Sequence, residues 1–130
     1  MIYLDSCALV KLLVREPETP ALEEWLRRAA GTPLVTSVLA EVELARVLTR
    51  EAPAALAALP AVLAKIDRYE ISATVRARAA SYPLAHLRSL DAIHLATADL
   101  RRSDLVAFVT YDKRLADAAV SIGLSTTAPA

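Results

Sequence analysis

The order of predicted elements along the chain indicates an α/β fold in three layers (α/β/α), with a mostly parallel central sheet of four to five short strands. Short apolar runs alternate with longer segments whose apolar residues have the spacing of an amphipathic helix. The sequence has no internal repeat, low-complexity tract or long linker, and its 130 residues suit one hydrophobic core. We therefore expect a single domain over residues 1–130.

The N-terminal segment predicts one strand and two helices. The apolar run Ile2–Leu4 is typical of a buried strand, and Asp5–Ser6 after it opens a helix. Apolar residues continue at helical spacing to Leu13, and the Glu-Pro-Glu sequence at 16–18 ends that helix. The segment Ala21–Ala30 predicts a second helix. Its apolar face holds Leu22, Trp25 and Leu26.

The middle of the chain predicts a turn, a strand and two or three helices. Residues 31–33 form the turn and Leu34–Thr36 the strand. Ser37 is a plausible N-cap for a helix that runs to about Arg50. Residues 52–65, which are rich in Ala and Leu and interrupted by two prolines, predict one or two short helices.

The C-terminal half continues the alternation of strands and helices, and Ser89 is the predicted N-cap of its best-marked helix. The predicted elements are a strand at 67–71, a helix at 72–82, a helix at 90–101, a strand at 105–110, a helix at 113–122 and a short strand near 125–127.

Composition indicates a soluble chain. The hydrophobic fraction is 55%, but no apolar run approaches the roughly 20 residues that cross a bilayer. Asp5 interrupts the apolar N-terminal stretch, which argues against a signal peptide and for a cytoplasmic location. The single Cys7 cannot form a disulfide within the chain, and we interpret it as a small core residue.

The charge balance gives no general signal for nucleic acid, because fifteen basic residues match fifteen acidic ones. RNA affinity would have to arise from a local arrangement. The basic candidates are Arg27–Arg28, Arg101–Arg102, Lys113 and Arg114, for which a solvated helix surface is the alternative.

Four acidic residues occupy positions from which they can reach one edge of the predicted sheet. Asp5 follows the first strand, and Asp112 follows the strand at 105–110. Asp91 lies in the first turn of its helix, and Glu43 comes six residues after Ser37. Ligands in open α/β sheets bind beyond the carboxyl ends of the strands. Helix capping remains an alternative role for each Asp, and an exposed helix position for Glu43.

A set of converging carboxylates is the chemistry that Mg²⁺ and Mn²⁺ require, because both are hard cations that prefer oxygen ligands. Without a divalent ion the carboxylates would repel one another. Glu41 and Glu43 are two residues apart on a helix, so their side chains point roughly 200° apart and only one can face the site. The sequence contains no Ser/His/Asp, HExxH, Walker or CxxC pattern that offers a competing mechanism.

Four segments, in order, resemble the signatures of VapC-type PIN domains, the ribonuclease toxins of VapBC toxin–antitoxin pairs. They are Tyr3–Leu9, the stretch from Thr36–Ser37 through Glu43–Arg46, Leu90–Ala98, and Thr110–Leu115. The resemblance spans nearly the whole chain, and the segment Leu90–Ala98 is the most specific. It implies a PIN-like fold and a metal-dependent endoribonuclease.

The resemblance also implies the roles of individual residues. The acids that would hold one or two Mg²⁺ or Mn²⁺ ions are Asp5, Glu43, Asp91 and Asp112. Ser6 and Thr110 match the small hydroxyl residues that brace such a site, and the family pattern selects Glu43 over Glu41. Cys7 stands where the family often has Ser or Ala, at a position not expected to touch a ligand. We interpret His94 as a packed helix residue that is hydrogen-bonded within the fold, and His86 as a surface residue.

The implied partners are an RNA substrate, a VapB-like antitoxin and a second copy of the chain, with DNA reached only through the antitoxin and no membrane. The apolar residues of the first two helices are expected either to contribute to antitoxin binding or to lie in the core. They are Leu12, Leu13, Leu22, Trp25 and Leu26.

Two other functions fit the same acids less well. A catalytically inactive PIN-like module that binds RNA or protein would have no need to keep four acids. A receiver-like phosphotransfer domain would have an adjacent acidic pair, and Asp5 has no acidic neighbour, although Lys113 would suit it.

Overall fold

The computed structural model describes all 130 residues and confirms the α/β fold. Five parallel strands form one sheet in the order β3-β2-β1-β4-β5. The strands are β1 (Ile2–Leu4), β2 (Leu34–Ser37), β3 (Asp67–Tyr69), β4 (Ala107–Val109) and β5 (Thr126–Thr127). The central strand β1 pairs Ile2 with Leu34 of β2 on one side and with Ala107 of β4 on the other.

Seven α-helices and one 3₁₀ helix cover the sheet. They are α1 (Ser6–Val10), α2 (Thr19–Arg28), α3 (Leu39–Glu51), the 3₁₀ helix (Pro53–Ala58), α4 (Leu59–Leu63), α5 (Ala73–Ser81), α6 (Ser89–Asp99) and α7 (Lys113–Ser121). None of these helices combines the length and the apolar character that crossing a membrane requires.

The helices form two layers because successive strand residues point to opposite faces of the sheet. Ile2 and Leu4 of β1 lie in a core cluster with residues of α1 to α4, such as Leu44. Tyr3, between them, lies in a second cluster with residues of α6 and α7, such as Leu95. The sheet is therefore buried on both faces, as predicted.

The strand order places a natural binding position between β1 and β4. From β1 the chain continues to β2 and then β3 on one side of the sheet, whereas β4 and then β5 follow on the other side. The direction of the strand order therefore reverses between the neighbours β1 and β4. The carboxyl ends of parallel strands at such a reversal leave a crevice. Asp5 follows β1 and Thr110 follows β4, which brings both residues to this crevice.

The first helix is shorter than predicted, because α1 ends at Val10 instead of reaching Leu13. The carbonyl of Lys11 accepts a hydrogen bond from the hydroxyl of Thr19 at 2.8 Å. The amide of Leu13 bonds to the carbonyl three residues earlier, at Val10, so the chain continues in tight turns. A tertiary hydrogen bond therefore replaces helical continuation at this point.

Two predicted N-caps are each wrong by one residue, since the N-caps are Val38 for α3 and Arg88 for α6. Ser37 is the last residue of β2, and its hydroxyl accepts a hydrogen bond from the amide of Leu39, where α3 begins. Ser89 is the first residue of α6, and Arg88 occupies the N-cap position without a side-chain capping bond. A serine therefore lies near the start of each helix, but Ser37 belongs to the end of β2 and Ser89 to the first turn of α6.

Candidate active site

Asp5 lies at the centre of the carboxyl edge of the sheet and is only 3% exposed. Its Oδ1 accepts a hydrogen bond from the amide of Ala8 at 2.9 Å, so the residue caps α1. Its Oδ2 accepts a hydrogen bond from the hydroxyl of Thr110 at 2.5 Å. The capping alternative is thus true of Asp5, but it occupies one oxygen of the carboxylate and leaves the other facing β4.

Burial is the main influence on Asp5, and it raises the pKa of this carboxyl above its usual range. Hydrogen bonds from Cys7, Thr110 and the amide of Ala8 act in the opposite direction. These donors are neutral, and Asp5 forms no ion pair within the chain. No basic side chain of the fold therefore pairs with the buried carboxylate at the centre of the edge.

Cys7 corrects two interpretations made from the sequence. Its thiol donates to both oxygens of Asp5, at 3.0 and 3.1 Å, so the residue does touch a candidate ligand. It is partly exposed instead of being a core residue, and its Sγ accepts a hydrogen bond from the amide of Tyr111 at 3.2 Å. Burial, followed by the charge of Asp5, raises the pKa of the thiol to about 12.

Glu43 is the glutamate of α3 that faces the site. Its Oε1 accepts hydrogen bonds from the hydroxyl of Ser6 and from Nε2 of His94, the latter at 2.6 Å. Partial burial acts to raise the pKa of Glu43, but the hydrogen bonds from His94 and Ser6 hold it below its usual value. Glu41 instead pairs with Arg68 at 2.9 Å on the outer surface.

His94 is packed and hydrogen-bonded within the fold, as the sequence indicated, and it is 1% exposed. Its two ring nitrogens reach Tyr3 and Glu43, each at 2.6 Å. The second of these contacts was not anticipated. A signal for it exists, because His94 follows Asp91 by three residues and so shares a face of α6 with a candidate ligand. His86, by contrast, is exposed, as predicted.

Asp91 and Asp112 are joined by Arg88, a residue that the sequence analysis did not single out. The guanidinium of Arg88 donates to Asp91 at 3.2 Å and to Asp112 at 3.3 Å. Asp112 also caps α7, since its Oδ1 accepts hydrogen bonds from the amides of Arg114 and Leu115. Asp91 lies in the first turn of α6 without being its N-cap.

The two predicted bracing hydroxyls each contact a candidate acid. Ser6 donates to Glu43, and Thr110 donates to Asp5. Thr110 also accepts a hydrogen bond from the amide of Asp112 at 3.1 Å, so one hydroxyl links two of the acids. Single residues therefore bridge two pairs of acids, with Thr110 between Asp5 and Asp112 and Arg88 between Asp112 and Asp91. Glu43 is linked to Asp5 through Ser6, which follows Asp5 in the chain.

The four acids do not form a ready-made metal cage. No three His, Cys, Asp or Glu side chains are arranged so that they could hold a metal ion as they stand. Oδ2 of Asp91 and Oδ2 of Asp112 are turned toward Arg88, and Oε1 of Glu43 is turned toward Ser6 and His94. The donor set nevertheless consists of carboxylates alone, which is the set that hard divalent cations select.

A cleft of about 440 Å³ opens beside the acids. Its lining includes Ser6, Cys7, Glu43, Val47, Tyr111 and Asp112. Lys11 forms part of one wall, where Glu16 and Glu18 hold its ammonium group at 2.5 and 2.9 Å. The cleft therefore provides access to the edge at which Glu43 and Asp112 lie.

Most of the basic candidates for RNA contact already have a partner in the fold. Arg27 and Arg28 pair with Glu24, Arg102 pairs with Asp99, and Arg101 lies over the ring of Tyr69. Lys113 and Arg114 are exposed, take part in no ion pair, and directly follow Asp112. Among these candidates, the two side chains are thus the free cations next to Asp112.

Comparison with protein families and known proteins gives one consistent result. The model of the PIN domain matches residues 2–121. Ribonuclease VapC35 of Mycobacterium tuberculosis is 50% identical over 131 aligned residues, which cover 99% of this chain and 97% of the relative. Ribonuclease VapC46 of the same species is 44% identical and covers 98% of this chain and 97% of the relative.

Solved structures support the same fold at lower sequence identity. The crystal structure of Mycobacterium tuberculosis VapC20, described as a sarcin–ricin loop cleaving toxin, superposes with a TM-score of 0.75 at 18% identity, over 99% of this chain and 100% of that one. A chain of a toxin–antitoxin complex from Klebsiella pneumoniae gives a TM-score of 0.68 at 19% identity, over 86% and 87%. With its sheet, its acids and these relatives, the chain belongs to the VapC-type PIN-domain ribonuclease family.

Proposed function

We propose that this chain is the toxin component of a type II toxin–antitoxin system and acts as a metal-dependent endoribonuclease. The observation that carries the proposal is the gathering of four acids around the crevice where the strand order reverses. They are Asp5, Glu43, Asp91 and Asp112. The ribonuclease names of two relatives at 50% and 44% identity support the same assignment.

The four acids fit a hard divalent cation, Mg²⁺ with Mn²⁺ as a substitute. Burying a carboxylate without a cation costs free energy, and Asp5 has only neutral partners. Asp5, Glu43, Asp91 and Asp112 would hold the ion. When bound, it would polarise the scissile phosphate and lower the pKa of a water molecule.

The chain's own residues contribute placement and access. Thr110 orients Asp5, and Ser6 and His94 orient Glu43 at the wall of the cleft. In the proposed hydrolysis the oxygen of water bonds to phosphorus while the bond from phosphorus to the 3′ oxygen breaks. The 3′ oxygen takes up a proton, and the products carry a 5′-phosphate and a 3′-hydroxyl.

The substrate that best suits this surface is an exposed loop in a structured RNA. The chain has no net charge, so attraction to phosphate has to come from local cations, and Lys113 and Arg114 are free beside the acids. Unstacked bases of single-stranded loops are the accessible targets in RNA. The structural relative VapC20 is described as a sarcin–ricin loop cleaving toxin, so this loop is the first such substrate to try.

The proposed partners follow from the same family. A VapB-like antitoxin would cover the cleft, and DNA would be reached only through that antitoxin. A homodimer and a cytoplasmic location remain predictions from the sequence. Of the apolar residues assigned to antitoxin binding or to the core, Leu22 is fully buried in the core. Those still partly exposed, and so available to a partner, are Leu12, Leu13, Trp25 and Leu26.

The decisive experiment is cleavage of end-labelled total RNA by purified protein in Mg²⁺ or Mn²⁺, beside EDTA and the Asp5→Ala variant. Discrete cuts that disappear in both controls are expected, with 5′-phosphate ends. Glu43→Gln and Glu41→Gln form a matched pair, because both glutamates lie on α3 and only Glu43 faces the site. Glu43→Gln should lose cleavage and Glu41→Gln should keep it.

Three results would contradict the proposal. Cutting that survives Asp5→Ala would come from a contaminant. Products that end in a 2′,3′-cyclic phosphate would show that the 2′-hydroxyl is the nucleophile. RNA that is bound but never cut would favour the catalytically inactive PIN-like module, for which the helix-capping roles of Asp5 and Asp112 provide a structural reason to keep the acids.

A further inference from the structure

A buried chain of side chains runs from the centre of the sheet to Glu43. The hydroxyl of Tyr3 on β1 lies 2.6 Å from Nδ1 of His94, and Nε2 of His94 lies 2.6 Å from Oε1 of Glu43. Tyr3 and His94 are almost completely buried, at 0% and 1% exposure. Tyr3 also stacks on Phe108, with ring centroids 5.2 Å apart. The chain is thus anchored in the core at one end and reaches the cleft at the other.

The partners of His94 determine where its hydrogens lie. Nε2 faces the carboxylate of Glu43, which is an acceptor, and the oxygen of Ser6, whose own hydrogen goes to the same carboxylate. Nε2 therefore carries a hydrogen. In a neutral imidazole the other nitrogen is then an acceptor, so the hydroxyl of Tyr3 donates to Nδ1. Both ring nitrogens of His94 and the hydroxyl of Tyr3 thus have a partner.

The position of His94 on α6 couples two of the acids. Asp91 lies one turn before His94 on the same helix, while Glu43 lies on α3, on the opposite face of the sheet. The bond from His94 to Glu43 crosses between these layers at the carboxyl edge. A glutamate side chain has several rotamers and loses their entropy when it is fixed. The imidazole is a rigid donor that selects one of them.

We propose that His94 is a positioning residue that fixes the carboxylate of Glu43 against the site, and that Tyr3 keeps His94 in the tautomer with its hydrogen on Nε2. This inference rests on the proposed role of Glu43 as a ligand of the divalent ion. His94 itself contacts neither the ion nor the RNA. It acts as the partners behind metal ligands do, and loss of such partners typically weakens metal affinity about 10-fold to 100-fold.

Three variants separate positioning from packing. His94→Leu removes the donor, whereas His94→Gln returns an amide hydrogen near the place of Nε2. Tyr3→Phe removes the hydroxyl that selects the tautomer and retains the aromatic ring. Leu95→Val is the control, because it alters packing at the neighbouring position of α6, where Leu95 is fully buried in the core.

The measurement is Mn²⁺ affinity by calorimetry, together with kcat and KM for RNA cleavage. We expect His94→Leu to weaken Mn²⁺ binding about 10-fold or more and to lower kcat with little change in KM, His94→Gln to recover most of both, and Leu95→Val to match the unmodified protein. Nitrogen NMR of the imidazole should place the hydrogen on Nε2 in the unmodified protein. In Tyr3→Phe it should also detect the tautomer with the hydrogen on Nδ1.

The outcomes distinguish a failure of this inference from a failure of the proposed function. If Glu43→Gln weakens Mn²⁺ binding, and His94→Leu folds but leaves Mn²⁺ binding unchanged, His94 has no positioning role. If His94→Gln is no better than His94→Leu, the hydrogen bond is not what matters. If Glu43→Gln itself leaves Mn²⁺ affinity unchanged, Glu43 is not a ligand, and the proposed function is what needs revision. A hydrogen found only on Nδ1 would overturn the role given to Tyr3.

Discussion

The hydroxyl of Thr110 donates a hydrogen bond to Oδ2 of Asp5 at 2.5 Å and thereby joins the ends of the two strands between which the sheet reverses its order. Asp5 is almost fully buried, and its partners are all neutral. The same hydroxyl accepts a hydrogen bond from the amide of Asp112. One side chain accordingly satisfies an acceptor and a donor from two different candidate acids.

Thr110→Val should destabilise the protein by about 1–3 kcal/mol, because it leaves a buried carboxylate oxygen and a backbone amide without this partner. Thr110→Ser, which keeps the hydroxyl, should recover most of that free energy of unfolding. Urea unfolding in EDTA measures both variants without interference from metal. Equal losses for Val and Ser would show that packing of the Thr methyl group matters instead of the hydrogen bonds.

Arg88→Ala should strengthen Mn²⁺ binding. The guanidinium of Arg88 lies between Asp91 and Asp112, so an ion that uses both carboxylates has to displace it. The free energy of unfolding without metal should change little, since exposed ion pairs contribute little. Calorimetric titration with Mn²⁺ tests the affinity.

Arg114→Ala is the matched control for that titration. Arg114 is also near Asp112 and is exposed, but its guanidinium forms no ion pair, and only its amide contacts the carboxylate. The affinity of the Arg114→Ala variant for Mn²⁺ should stay within a small factor of that of the unmodified protein. Weaker Mn²⁺ binding by Arg88→Ala than by Arg114→Ala would mean that Arg88 helps to organise the acids instead of competing with the ion.

Asp99 gives a pH dependence that is separate from the site. Its carboxylate accepts hydrogen bonds from Arg78, Tyr82 and Arg102. Burial acts to raise the pKa of Asp99, but these partners lower it below its usual value. The unfolded chain has the ordinary pKa of about 3.9. The stabilisation is therefore complete above that value and is lost as the pH falls through the lower pKa of the folded state.

Asp99→Asn should accordingly cost about 2 kcal/mol at neutral pH, as the loss of charge-assisted hydrogen bonds at a buried carboxylate. The difference from the unmodified protein should be constant down to about pH 5 and shrink below about pH 4. Denaturant unfolding across this range measures it. A difference that grows toward acidic pH would have the wrong sign for a lowered pKa and would exclude this account.

The sequence predicts the fold and the edge of the site, because both follow from local patterns. Apolar runs such as Ile2–Leu4 identify the strands, and polar residues directly after them identify the carboxyl edge. Helix spacing allows only one of Glu41 and Glu43 to face the edge, and the family resemblance is what selects Glu43. The two side chains do lie apart, since Glu43 contacts His94 and Glu41 contacts Arg68. These are short-range properties of the chain.

The contacts that the sequence did not predict are made between elements that are distant along the chain. Arg88 reaches Asp112 across 24 residues, and Cys7 contacts Thr110 across 103. The early end of α1 depends on a nearer contact, because the hydroxyl of Thr19, eight residues further on, donates to the carbonyl of Lys11. Such contacts depend on the packing of helices on the sheet, which periodicity alone does not specify.

Cys7 provides a direct test of the centre of the site. It is partly exposed in the cleft, yet burial and the charge of Asp5 raise the pKa of its thiol to about 12. Only the thiolate reacts with iodoacetamide, so alkylation at about pH 8 should be far slower in the folded protein than in the urea-unfolded chain, where the pKa of the thiol is about 8.5.

Asp5→Asn removes the charge of Asp5, the second of the two causes, and should speed the alkylation of Cys7 without reaching the rate of the unfolded chain. Mass spectrometry of the intact protein in metal-free buffer follows both rates. If the folded protein reacts as fast as the unfolded chain, the thiol does not donate to Asp5, and the buried carboxylate must find its hydrogen bonds elsewhere.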